Sequence, residues 1–223
     1  MKLNRKKLLI GGGAAVLAAA IGVLLWTDSF MLYILLIFGC MGGLVWLLLA
    51  GPANPHTAND NTSGVVTVLE LLPALQKGKA AAVLFDHEEL GMIGSSRFSR
   101  QHKERSRELL VLNFDCVSDG EHLLFVAKKK AASDPLYPAF CQAVENAAAA
   151  RELHPVFLRE NQAMYPSDQM NFPRGVGIAA CRRMRGAGYY LSRIHTAKDT
   201  VFEENNLQAL AEAARTFIQE ECQ

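Results

Sequence analysis

Ala80-Ala81-Ala82-Val83-Leu84-Phe85-Asp86-His87-Glu88-Glu89 is the stretch from which the fold of this chain is read. An unbroken apolar run stops abruptly at three acids and an imidazole. The run predicts a strand over 80–85, apolar throughout because a parallel sheet covers its strands on both faces. Leu90-Gly91-Met92-Ile93-Gly94-Ser95 is a glycine-punctuated turn that leads into a helix. In open α/β sheets ligands gather beyond the carboxyl ends of the strands, so the acids at 86–89 stand where a site is expected.

The same alternation continues on either side. Val65, Val68, Leu69 and Leu72 recur at helical spacing and predict a helix over 63–76, with Ser63 as its cap. A helix with a basic outer face is expected over 93–106, and buried strands over 109–114 and 122–127. An Ala-rich helix over 136–151, short strands over 155–158 and 176–181, and an amphipathic helix over 205–219 complete the body. Strands alternating with helices give an α/β class with a largely parallel sheet. Asp115 follows the strand ending near Phe114 and falls on the same sheet edge as Asp86-His87-Glu88-Glu89.

Each candidate site residue has an ordinary reading. Adjacent acids such as Glu88-Glu89 are common on helix surfaces. Asp115 suits a helix cap or turn, His195 a loop, and Asp60 in Asn59-Asp60-Asn61 a turn. Together they read differently. Asp60-Asn61-Thr62-Ser63-Gly64, the acids at 86–89, Asn113-Phe114-Asp115 and His195-Thr196 offer carboxylates and an imidazole at strand ends and loops. Such a set can converge on a pair of divalent ions. One carboxylate of Glu88-Glu89 can face a metal while the other faces the water that the metal activates. The chain reads first as a metal-dependent hydrolase.

DNTSGVVTVLE (60–70), FDHEELGMIGSSRF (85–98), LNFDCVSDG (112–120), YPSDQMNF (165–172) and IHTAKDT (194–200) resemble, in order, the motifs of the zinc aminopeptidase family with co-catalytic metals. That family includes bacterial leucyl aminopeptidases and is similar to glutamate carboxypeptidase and glutaminyl cyclase. The resemblance runs from about Asn54 to the C-terminus. It implies a phosphorylase/hydrolase-like three-layer sandwich with a mixed central sheet, two zinc ions and a peptide substrate. It makes Asp60 the carboxylate bridging both metals and Glu88 the general base. Glu89 and His195 complete one zinc site, and Asp115 belongs to the other. Asp168 and Asp199 stand behind the ligands. Two departures go with it. Gln169 stands where the family usually has His. The His-x-Asp string that supplies another ligand upstream of Asp60 is missing, with the early strands around it. His56 is either a substitute ligand or a surface histidine. One zinc instead of two, a shortened member, or a domain completed by another chain or a lost upstream segment would each fit. The alternative to an active exopeptidase is an inactive relative serving as a membrane-bound binding or scaffold module.

Upstream, residues 8–26 and 30–51 are uncharged. At about 1.5 Å per residue each would extend roughly 28–33 Å, the thickness of a bilayer core. A cleaved leader would also have a basic start and an Ala-rich core. The second span follows after only Thr27-Asp28-Ser29, which favours an antiparallel hairpin. The expected organisation is thus a membrane anchor over 1–51, in contact with the lipid bilayer, and a peptidase-like domain over 52–223. Lys2, Arg5, Lys6 and Lys7 before the first span place the domain on the cytoplasmic side of the cell membrane by the positive-inside rule.

The 223 residues carry 23 basic and 22 acidic groups, for a net charge of +1. The body is close to neutral, which argues against nucleic acid as a partner. Five scattered cysteines without a CxxC string read as free thiols.

Overall fold

A computed structural model describes residue 22 and residues 30–50, 54–75 and 79–222, without the side chains of residues 32 and 45–50. Apart from residue 22, the expected first span (8–26), its link at 27–29, and positions 51 and 76, at the ends of the expected second span and first helix, lie outside the described residues. The chain divides into two units, Met1–Ala53 and Asn54–Gln223.

In the first unit, α1 (Phe30–Ala50) is a helix of 21 residues without a charge. Among the described residues no helix is long and apolar enough to cross a membrane.

The second unit is built on a five-stranded sheet. Its strands are β1 (Val111–Phe114), β2 (His122–Ala127), β3 (His154–Arg159), β4 (Gly175–Met184) and β5 (Gly188–Tyr190). The order is β1-β4-β2-β3, with β5 paired to β4. β1 runs parallel to β4, with Val111 opposite Gly175, and β2 parallel to β3, with Phe125 opposite Phe157. β2 and β4 are antiparallel, with Phe125 opposite Ile178. The sheet is therefore mixed, as the resemblance implies, rather than largely parallel. Only residues 115–121 separate β1 from β2. A parallel crossover needs a dozen or more residues, so β2 must run back against β1.

Residues 80–85 form no strand, and that expectation is corrected. Val83 and Leu84 are exposed. An apolar run becomes a strand only where a neighbour supplies a ladder, and no described strand pairs with this one. Phe85 instead packs on Phe98 and Phe172, with ring centroids 5.5 and 5.9 Å apart.

The helices of the second unit are α2 (Gly64–Leu75), α3 (Ile93–Gln101), α4 (Lys103–Glu108), α5 (Lys129–Ala132), α6 (Tyr137–Ala149) and α7 (Glu204–Glu221). The single helix expected over 93–106 is broken at His102. In α7, Leu207, Leu210, Ala214 and Phe217 are buried at helical spacing. They join Leu123, Phe125 and Ile178 of the sheet and Phe140 and Val144 of α6 in the main core. The opposite face of the sheet is apolar at Leu124, Val126, Ala179 and Cys181. The three-layer expectation is met unevenly there. Ala163, Tyr165, Tyr189 and Leu191 pack on that face. α3 is tethered to the turn Asp168–Asn171 by Ser95 Oγ to Asp168 (2.5 Å) and Ser99 Oγ to the Asn171 carbonyl (2.7 Å). All five cysteines are free; Cys116 and Cys181 are buried, and Cys40 is exposed.

Past β5, the chain is pinned by one buried acid. Asp119 lies 2.8 Å from Arg193 Nε and 3.0 Å from Arg182, and accepts a bond from Ser192 Oγ at 3.2 Å. Its own backbone N–H donates to Asn59 Oδ1 at 3.0 Å. Removing one partner of a buried, multiply bonded charge pair destabilises what it holds. Asp119→Ala is expected to open the 190–198 segment to limited proteolysis. Phe125→Ala is expected to lower the unfolding free energy by about 3–5 kcal/mol without opening that segment. Protease mapping alongside urea unfolding of both variants checks the contrast.

Candidate metal centre

The segment Ala58–Ser63, before α2, is fixed from two sides. The Asp199 carboxylate accepts the backbone N–H groups of Asn59 (2.7 Å) and Asp60 (3.0 Å). Asn61 Nδ2 donates to the Phe114 carbonyl at the end of β1 (3.2 Å). Asn61 Oδ1 accepts from Gly64 N (3.0 Å) and Cys116 N (3.3 Å). Asn61, rather than the expected Ser63, thus caps α2. The Ser63 hydroxyl is used otherwise, donating to the Asn59 carbonyl (2.7 Å) and accepting from Val117 N (3.0 Å). A Cβ at position 64 would collide with the Phe114 carbonyl oxygen, so the close approach of α2 to β1 requires glycine.

The acids at 86–89 are held by the turn into α3. Gly91 N and Met92 N donate to the Glu88 carbonyl (2.8 and 2.7 Å), Ile93 N to that of His87 (3.1 Å) and Gly94 N to that of Asp86 (3.2 Å). Across the site, His195 adopts a left-handed backbone (φ 58°). Its Nε2 lies 3.0 Å from Asp60 Oδ2 and 3.1 Å from Glu89 Oε1.

Two sets of donors therefore meet. The ligand atoms of Asp60, Glu89 and His195 lie within 4.8 Å of one another, as do those of Asp60, Asp115 and Cys116. Asp60 belongs to both. Carboxylate oxygen, imidazole nitrogen and thiolate sulfur are the donors zinc takes, so the residues present fit that ion. The electrostatics agree. Burial, followed by the Asp115 and Glu89 carboxylates, pushes Asp60 up to about 6, with His195 opposing. Burial, then Asp115 and Glu89, pushes Glu88 up to about 7. Burial and the two neighbouring aspartates also push the Cys116 thiol up. The pocket carries more negative charge than its side chains neutralise, which is the condition a divalent cation relieves.

Other expected residues fall in distinct places. Asp168 is buried behind Glu88 and accepts the Ser95 hydroxyl; burial raises its pKa. Asp199 is buried and orients the backbone that carries Asp60. His56 is exposed, with its backbone N–H on Asn54 Oδ1 (3.2 Å), and it is in neither donor set. His87 points to Asp86 (2.9 Å) rather than to the donors. Gln169 bridges Asn113 Nδ2 (2.9 Å) and the Tyr165 carbonyl (2.5 Å).

Sequence reasoning missed three participants. Tyr165 is half-buried, and its hydroxyl lies 3.0 Å from Asp115 Oδ2 and 2.9 Å from the Asp115 carbonyl. It stands in a quoted string, but its partner is 50 residues away. Cys116 adjoins Asp115 in sequence, a signal available and not used. Asn59 accepts two loop N–H groups, from Ser118 (2.7 Å) and Asp119 (3.0 Å), which no spacing could reveal.

The model of a known family, peptidase family M28, matches residues 45–219. No curated protein matches the chain. With most of the chain covered and a zinc-compatible donor set in place, this protein belongs to peptidase family M28, metal-dependent peptidases that generally bind zinc.

Proposed function

We propose that this chain is a membrane-anchored, zinc-dependent exopeptidase of the aminopeptidase type, acting on short peptides. The carrying observation is the convergence of Asp60, Glu89 and His195 beside Glu88, whose proton affinity is raised to about 7. Zinc, when bound, would lower the pKa of a water molecule and polarise the scissile carbonyl.

The chain's own residues do the rest. Glu88 accepts a proton near neutral pH and returns it to the departing amine, since a group with a pKa near the working pH does both efficiently. Asp199 holds Asp60 through the backbone, and Tyr165 holds Asp115 by its hydroxyl. Glu89 and His195 remain open to solvent, which leaves room for a peptide end. The charges that perturb Glu88 are carboxylates: Asp115, Glu89, Asp168 and Asp60. A bound zinc ion would offset that charge, so the preference for N-terminal residues rests on the resemblance of the 60–70, 85–98 and 194–200 strings to those of zinc aminopeptidases. The anchor is the sequence stretch over 30–51 with the earlier apolar stretch, and the basic start orients the catalytic unit to the cytoplasm. A reporter active only outside the membrane, fused to the C-terminus, is expected to stay silent.

Glu88→Gln is expected to lower hydrolysis of aminoacyl chromogenic substrates about 10²–10⁴-fold while zinc content is kept. Equal rates in parent and variant would remove Glu88 from the chemistry.

The raised carboxyls also set a pH dependence. The folded pKa of Asp60 stands at about 6 against an ordinary 3.8, and that of Glu88 at about 7 against 4.5. Each binds its proton more tightly folded than unfolded. Their contribution is complete below about pH 4 and is lost as pH rises through 6 to 7. With chelator present, Tm is expected to fall across that window. Saturating zinc, which favours the charged forms, should flatten the fall. Thermal scans at stepped pH, with and without chelator, test this.

A further inference from the structure

We propose that Cys116 is a metal ligand: its thiolate joins Asp60 and Asp115 in a second cation site that shares Asp60 with the Glu89–His195 set. The inference rests on the zinc-peptidase reading and deepens it by naming the donor that completes the second position. Asp60 and Asp115 alone give that position two protein ligands, and zinc sites normally use about three or four. The structure supplies a third donor atom within 4.8 Å of both carboxylates.

The geometry suits ligation. Cys116 Sγ lies 3.4 Å from Asp115 Oδ1. With Zn–S near 2.3 Å and Zn–O near 2.1 Å, two donors on a tetrahedral ion sit about 3.6 Å apart. The other oxygen, Asp115 Oδ2, is taken by the Tyr165 hydroxyl at 3.0 Å, so Oδ1 is the one left facing the sulfur. Cys116 itself is only 2 % exposed. Its backbone is left-handed (φ 56°), and its N–H is fixed by Asn61, the residue following Asp60. The thiol, its two carboxylate neighbours and the end of β1 are thus held by one set of bonds. On binding, the S–H bond breaks, the proton leaves to solvent and the sulfur lone pair goes to the ion; no electron transfer is needed.

The test is to load the purified full chain with Co²⁺ and record the near-ultraviolet sulfur-to-cobalt charge-transfer band, with zinc stoichiometry measured in parallel. The band is expected in the parent and in a variant in which Cys40, Cys141, Cys181 and Cys222 are serine. It should be lost in Cys116→Ser, with zinc content falling from two to one per chain. The variant with Cys116 as its only thiol keeps the test decisive should Cys116→Ser fold poorly. A band absent from the parent, or unchanged in Cys116→Ser, overturns thiolate ligation. If metal still binds in that event and is lost in Glu89→Ala, the peptidase reading survives. Failure of the parent to bind any metal overturns both.

Discussion

The Asp199 carboxylate takes the backbone N–H groups of two successive residues, Asn59 and Asp60, and the rest of the site depends on that grip. It joins two stretches of chain 139 residues apart. The Asp199 loop also carries His195, so the same contact sets the distance between the imidazole and the Asp60 carboxylate. Asp199 is only 2 % exposed, and hydrogen bonds from N–H groups to a buried carboxylate are among the stronger ones available to a loop. Asn59 extends the arrangement, since its side-chain oxygen receives the N–H groups of Ser118 and Asp119. The two donor sets are therefore positioned by backbone bonds before any ion contributes.

Much of the fold was legible from the sequence, because alternating apolar runs and helical spacing are local signals. β2 lies where its run predicts, over His122–Ala127, and α7 where its amphipathic period places it. The direction of β2 was misread within a largely parallel sheet, although the short connection from β1 forbids a parallel crossover. The run at 80–85 was misread because six apolar residues say that burial would be favourable, not that a neighbour exists to provide it. The site was legible in its ligand types and not in its supports. Asp60, Glu89 and His195 could be picked out as chemistry-bearing residues at strand ends and loops. The Tyr165–Asp115 bond, the double use of Asn61 and the Arg193–Asp119 clamp arise from tertiary contacts with no local trace.

The misread strand bears on how the acids are held. In a doubly covered sheet, a ladder would fix Glu88 and Glu89 from behind. Here the fixing comes from in front, through the turn that opens α3. Gly94 is needed for it: a Cβ there would meet the Asp86 carbonyl oxygen at 2.6 Å and the Asp86 nitrogen at 2.9 Å. Just beyond, Ser95 bonds Asp168, and Asp168 is one of the carboxylates that raise Glu88. The turn, the helix start and the Asp168–Asn171 segment make one connected support. Loss of the ladder on one side therefore does not release the acids on the other. The glycines that punctuate 91–94 serve the chemistry as directly as the acids beside them, because without so tight a turn the two glutamates would have no fixed bearing toward Asp60 and His195.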